Sequence, residues 1–160
     1  MTRYHMHKAE LEITDPQALE AILLGGTYAT LAFARGNEPY LVTLNYGYDP
    51  VERALYVHSA VEGLKLAFIR ENPRVCGTVI VDEGYCQGRC THAYRSVVFW
   101  GRIELLETAA EKEAGLGLMI DRLEDDPAAT RRRLLADPDR LNHVAVLKLT
   151  IEEITGKAGQ

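Results

Sequence analysis

The stretch YVHSAVEGLKLAFIRENPRV, residues 56–75, brings together side chains that could bind an anion. His58 and Ser59 end a predicted strand, and Lys65 follows in the first turns of a helix predicted over residues 61–71. A helix N-terminus offers unpaired N–H groups and the positive end of the helix dipole, so a phosphate placed there is stabilised, and Lys65 would add a cation. The alternative is structural: Ser59 caps the helix, Lys65 is solvated, and His58 only ends the strand.

A second group of potential ligands lies in the stretch CQGRCTH. Cys86, Cys90 and His92 follow a C-x3-C-x-H spacing, which supplies at most three ligands for a soft metal. Structural zinc usually needs two closely spaced ligand pairs, so we predict no metal here. With Cys76 the chain has three cysteines, too few for a disulfide scaffold, and reduced thiols are expected.

Motifs and composition exclude several classes of protein. The chain contains no phosphate-binding P-loop, dinucleotide-binding glycine motif, nucleophile elbow or His-Glu-x-x-His zinc motif. A net charge of −5 argues against binding to nucleic acid or anionic lipid, and the arginines at 131–133 are read as a solvated helix face. No run is long enough for a membrane span, and the first residues lack the apolar segment of a signal peptide, so a cytoplasmic protein is expected.

The elements that must position these residues begin with a helix. Its start is marked by Thr14 or Asp15 as the cap, by Pro16 in the first turn, and by Gln17, which could form a capping box with Thr14. The pair Gly25-Gly26 ends it. The length of 160 residues predicts a single domain, residues 1–160.

The rest of the chain alternates strand signals with helical ones. Six runs rich in β-branched and aromatic residues predict strands: TYATLAFAR, YLVTLNYGY, ALYVH, VCGTVIVDE, YRSVVFWGRIELLE and HVAVLKLTIEEITGK. Leu116, Met119, Ile120 and Leu123 keep helical spacing, and a shorter helix closed by Pro138 follows. Because the strands arrive in antiparallel runs, we predict an α+β, mainly β protein: a small antiparallel barrel or curled sheet with helices packed outside.

The order of these elements resembles the FMN-binding split-barrel superfamily that includes pyridoxamine 5′-phosphate oxidase. Three stretches carry the likeness: PYLVTLNYGYD, LYVHSAVEGLKLAFIRENPRV and YRSVVFWGRIELLE. The most specific piece is H-S-A-x-x-G-x-K followed by N-P, and the match is strongest to the nitroimidazole-resistance-like branch. The resemblance spans about residues 13–157 and implies a split antiparallel β-barrel.

The resemblance also implies a homodimer with FMN in clefts between the two barrels. By position, His58, Ser59 and Lys65 fall where the family holds the FMN phosphate. Thr43, Leu44, Asn45 and Tyr46 are implied to contact the isoalloxazine edge through backbone groups. Arg95 and Ser96 match an Arg-Gln pair of the family and are also implied to bind the cofactor. The last implied position is Trp100, in the apolar run VVFWG.

The implied activity is that of a flavin-dependent oxidoreductase acting on a small aromatic or nitro compound, with His58 as the candidate proton donor. NAD(P)H or a partner reductase would reduce the flavin, and a deazaflavin could replace FMN. The substrate-binding Trp and Arg stretch of the pyridoxamine phosphate oxidases has no match in EEITGKAGQ, so vitamin B6 oxidation is not expected. The alternative function is a non-catalytic flavin or haem binder, a carrier or sensor.

Overall fold

The computed structural model describes residues 6–159, which form one antiparallel sheet of eight strands together with five α-helices. In chain order the strands are β1 (Glu12–Ile13), β2 (Ala29–Arg35), β3 (Glu38–Leu44), β4 (Gly47–Asp49), β5 (Ala54–Ser59), β6 (Arg74–Cys86), β7 (Thr91–Leu105) and β8 (Ala145–Gly159). The order across the sheet is β3-β2-β6-β7-β8-β5-β4, with β1 paired to β8. The predicted α+β split-barrel class is confirmed.

The six predicted strands are present, and two short strands were not predicted. β1 has two residues, which is too short for a sequence pattern to reveal. β4 overlaps the end of the predicted run YLVTLNYGY, which the structure divides at Asn45 and Tyr46. Tyr46 turns into the core there, where it is fully buried and donates a hydrogen bond from its hydroxyl to the Leu23 carbonyl at 2.5 Å.

The helices are α1 (Pro16–Gly25), α2 (Leu64–Glu71), α3 (Ala109–Leu123), α4 (Pro127–Leu134) and α5 (Pro138–Leu141). The cap of α1 is Asp15, whose carboxylate accepts from the Gln17 N–H, so the predicted capping box between Thr14 and Gln17 is wrong. Helix α3 has a capping box between Thr108 and Glu111. None of the helices within residues 6–159 is long and apolar enough to cross a membrane.

The core lies in two places, inside the curled sheet and beneath α3. The inner cluster includes Leu31, Val57, Phe99 and Leu147, with Phe68 of α2 packed among them. Alternate residues of β2, β5 and β7 supply it, as the two-residue period of a strand requires. Burial of such side chains stabilises the fold by about 1.5–3 kcal/mol each.

The second cluster packs α3 against the outer face of the sheet, through Ala54, Tyr56, Leu106, Met119 and Val146. A close approach is needed at Gly115, since a Cβ there would lie 2.8 Å from the Tyr56 ring. Helix α3 therefore lies directly over β5, the strand that carries His58.

Candidate functional site

The end of β5 and the start of α2 place His58 near Lys65. His58 lies on the outer face of β5 and its side chain is exposed, while Lys65 is half-buried. Partial burial in the surrounding protein lowers the pKa of His58, and the nearby Lys65 charge lowers it further. The ring is therefore biased toward its neutral form in the flavin-free protein.

Helix α2 begins differently from the prediction. Its first residue is Leu64 and its N-cap is Gly63, with φ of 139°, a backbone conformation that favours glycine. Ser59 is half-buried and its hydroxyl donates to the Ala60 carbonyl, so the alternative in which Ser59 caps this helix is wrong. Among residues 6–159, no side chain caps α2, and its first N–H groups keep their capacity to meet an anion.

Lys65 is a cation without a counterion in the described part of the chain. None of residues 6–159 forms an ion pair or hydrogen bond with its ammonium group, although seven ion pairs of other Lys and Arg side chains are found there. Burial lowers its pKa, because water is partly excluded from the charged group. A half-buried, unpaired lysine at an uncapped helix start would gain from a bound anion.

Ser59 and His58 do not share a surface. Successive strand residues point to opposite faces, and His58 follows Ala54 and Tyr56 on the outer face. The structure therefore brings His58 and Lys65 together, while the Ser59 side chain is directed to the other side of β5.

The strand end from Thr43 to Tyr46 offers mainly backbone groups. Thr43 and Asn45 are exposed and Leu44 is half-buried. The Tyr46 side chain is unavailable to a ligand, because its hydroxyl also contacts the Gly26 carbonyl and the Arg122 guanidinium stacks on its ring at 4.2 Å. A cofactor contact here would use main-chain atoms, as the resemblance implies.

Arg95 and Ser96 point to opposite sides of β7. The Arg95 Nε donates to Glu83 Oε1 at 2.7 Å, and that ion pair occupies one side. Ser96 and Trp100 share the other side, the outer face. The structure thus does not place Arg95 beside Ser96 as a pair of contacts to one group.

Within residues 6–159, no helix packs on the outer face of the sheet across β3, β2 and β6. Cross-strand pairs set Thr43, Thr30 and Thr78 in a row, with the Thr30 and Thr43 hydroxyls 2.9 Å apart. Leu41 and Ile80 lie on the same face, with 63% and 55% of their side chains exposed. This surface, which we call the open sheet face, also carries the half-buried Trp100.

The cysteine loop is the tip of the β6–β7 hairpin. Cys86 is half-buried and Cys90 is exposed, both with free thiols, and Nε2 of His92 lies 2.7 Å from Asp82 Oδ1. That contact lowers the pKa of Asp82. No three His, Cys, Asp or Glu side chains among residues 6–159 are grouped to hold a metal ion, and the metal-free loop stays a prediction.

A cavity of about 310 Å³ beside His58 was missed by sequence reasoning. It lies between β5 and helices α3, α4 and α5, and its polar members besides His58 are Glu124 and Arg140. The helical spacing of Leu116 and Met119 predicted an apolar face. It gave no sign that α4 and α5 would leave part of that face open.

A split antiparallel barrel with helices packed outside is the fold of the pyridoxamine 5′-phosphate oxidase-like proteins. The sequence model of pyridoxamine 5′-phosphate oxidase matches residues 15–158, and the chain belongs to that family. No curated protein matches it.

Three solved structures illustrate the likeness. A candidate 5-nitroimidazole antibiotic resistance protein from Bacteroides thetaiotaomicron is 25% identical, with a TM-score of 0.77 over 97% of this chain and 95% of that one. An FAD-binding protein from Mesorhizobium loti is 25% identical, with a TM-score of 0.64 over 91% and 96%. An FAD- and haem-binding protein from Mycobacterium smegmatis, 19% identical, has a TM-score of 0.77 over 93% and 73%, a likeness of fold.

Proposed function

We propose that this protein binds FMN and is a flavin-dependent oxidoreductase acting on a small aromatic or nitro compound. The observation that carries the proposal is Lys65, a half-buried cation without a counterion among the described residues, at an uncapped helix start beside His58. Membership of the pyridoxamine 5′-phosphate oxidase family supports a flavin nucleotide as the ligand whose phosphate binds there.

The residues present fit the phosphate end of FMN. Lys65 would contribute a charge-assisted hydrogen bond, and the first N–H groups of α2 would contribute the positive end of the helix dipole. A phosphate could come close to the backbone at Gly63, because glycine has no Cβ and the space where one would stand is open. The backbone from Thr43 to Tyr46 is the proposed contact for the isoalloxazine edge.

Bound FMN would supply the electrons for reduction of the substrate, and the chain would supply position and a proton. His58 is the proposed proton donor because it is exposed, lies within electrostatic range of Lys65 and borders the apolar cavity. A phosphate dianion near His58 would oppose the effects of burial and of Lys65 on its pKa and favour protonation. We place the reaction in the cytoplasm, with NAD(P)H or a partner reductase as electron source.

The open sheet face is the proposed contact with a second copy of the chain. Leu41 and Ile80 expose apolar side chains there, and Trp100 adds aromatic surface. A dimer through this face would place Ser96 and Trp100 of one copy near the cofactor of the other, in a cleft that takes walls from both chains.

Turnover tests the function directly. Protein loaded with FMN is reduced anaerobically with NADH or NADPH, and a 5-nitroimidazole or nitrobenzene is then added. The proposal predicts flavin reoxidation coupled to loss of the nitro compound. If the reduced flavin persists with every acceptor, the oxidoreductase assignment is wrong, although FMN binding could still be correct.

A second candidate, a haem carrier or sensor, is favoured by one observation. His58 presents an imidazole biased toward the neutral, ligating form at the edge of an apolar cavity. The cavity volume of about 310 Å³ lies at the lower end of the range for ligand sites, which favours a small ring compound over a macrocycle. A Soret band in purified protein, lost in His58→Ala, would reverse that preference.

A further inference from the structure

The cavity beside His58 is bounded by three helices and the end of one strand. Its walls are mostly apolar, with Leu116 and Met119 from α3, Leu134 from α4 and Leu141 from α5. Ligand sites in proteins are concave and apolar with a few placed polar groups, and this cavity meets that description.

The charged side chains at the cavity are already engaged with the protein. The Glu124 carboxylate accepts a hydrogen bond from the Thr130 hydroxyl at 3.3 Å, and the Arg140 Nε lies 3.8 Å from an Asp137 oxygen. His58, in contrast, makes no hydrogen bond to any residue between 6 and 159. A ligand would therefore meet an apolar wall and one imidazole whose hydrogen-bonding capacity is still open.

We infer that this cavity binds a small, neutral compound of one or two rings, with a hydrogen-bond acceptor such as a nitro oxygen directed at His58. An anion would be repelled by the Glu124 carboxylate, whose hydrogen-bond partner Thr130 is neutral, and the Arg140 charge already faces Asp137. Any charged ligand would also lose hydration against the apolar walls. The cavity is thus the substrate site of the reaction proposed above. The assignment of the cavity as a substrate site rests on the proposed function. The inference that the cavity binds a ring compound does not.

Methionine methyl groups give a direct readout of binding. Met119 lines the cavity, whereas Met6 lies with Ser96 at a different depression. Full-length protein labelled with ¹³C at the methionine methyls is titrated with nitrobenzene, and Met119→Leu assigns the signal. We expect a saturable shift of the Met119 methyl with no comparable shift of Met6. A Met119 signal that does not move, or moves only in step with Met6, overturns the inference.

Filling the cavity mouth provides the matched test. Leu134 is 37% exposed at the rim, so Leu134→Trp adds bulk without opening the core, while Leu24→Trp makes the same change at an exposed position of α1 away from the cavity. We expect Leu134→Trp to weaken nitrobenzene binding by about tenfold or more and Leu24→Trp to change it by less than about twofold. If Leu134→Trp does not fold, Leu123→Trp takes its place, since Leu123 also lines the cavity and is 43% exposed. Equal affinities in the rim and control variants would contradict the proposed site.

The two proposals can fail separately. A saturable Met119 shift in protein that binds no flavin would support the cavity as a ligand site and refute the oxidoreductase. Flavin-dependent reduction of nitrobenzene with an unchanged KM in the rim variant would support the oxidoreductase and refute the cavity as its substrate site.

Discussion

Replacing Lys65 by Gln removes one positive charge from the proposed phosphate site while keeping a polar side chain. Lys65 is half-buried and has no acidic partner within the described residues, so its hydrogen-bonding capacity is available to a ligand. A charge-assisted contact of this kind is worth about 1–3 kcal/mol. The variant is therefore expected to bind FMN about 5- to 150-fold more weakly.

The same substitution should leave the flavin-free protein as stable as before, or more stable. Burial lowers the pKa of Lys65, so near neutral pH the protonated side chain is less favourable in the folded chain than in the unfolded one. This penalty is present below the folded-state pKa and disappears well above the unfolded-state pKa. Removing the charge relieves it, so affinity and stability are expected to change independently.

FMN fluorescence quenching measures the affinity, and urea unfolding of flavin-free protein measures the stability. Arg70→Gln is the control, because Arg70 lies on the same helix, is exposed, and is far along it from the first turn. The control should keep FMN affinity within about twofold, as an exposed charge contributes little. Equal losses in the two variants, or a loss in Lys65→Gln that parallels unfolding, would refute the phosphate contact.

Further changes test other parts of the structure. His58→Ala should lower turnover by roughly 10²- to 10⁴-fold while FMN stays bound, as for a lost general acid; parallel losses of flavin and activity would point to a structural role. Burial and Lys65 lower the pKa of His58, so on acidification the unfolded chain binds more protons than the folded chain and stability falls. His58→Gln should therefore lose less of its free energy of unfolding than the wild type between neutral pH and about pH 5, as measured by urea unfolding. If both proteins lose the same amount, His58 has the same pKa in the folded and unfolded states. Gly115→Ala should lower the free energy of unfolding by about 1–3 kcal/mol, measured with urea, because the new Cβ meets the Tyr56 ring. Gly117→Ala is the control and should lower it much less, because its Cβ meets only the flexible end of a surface arginine. Equal losses in the two variants would show that α3 can shift to make room. Ile80→Arg on the open sheet face should convert a dimer into a 17.9 kDa monomer in sedimentation, and a wild-type protein that is already monomeric would exclude the dimer.

The sequence predicted the six long strands and the apolar face of α3 because those signals are local and repeated. The juxtaposition of His58 and Lys65 was also predictable, since a short turn joins a strand to a helix. The start of α2 was not, because Ser59 is a good capping residue by type while the chain turns instead at Gly63, with a positive φ.

Other features depend on tertiary packing that no local pattern encodes. Thr14 and Asp15 are equally suitable caps by type, and only the packed chain selects Asp15. The sequence predicted Tyr46 as a strand residue at the cofactor. In the structure its ring is buried and its hydroxyl contacts two carbonyl groups at the end of α1. The cavity at His58 exists because α4 and α5 pack at a distance from β5, which depends on contacts far apart in sequence.

Whether this chain holds FMN at the start of α2 can be read from the visible absorption spectrum of purified protein reconstituted with FMN and freed of excess ligand. We expect flavin bands at close to equimolar FMN, released on denaturation, and a clear loss of retained flavin in Lys65→Gln but not in Arg70→Gln. Protein that retains no flavin, or that shows only a Soret band after incubation with both FMN and haem, would contradict it.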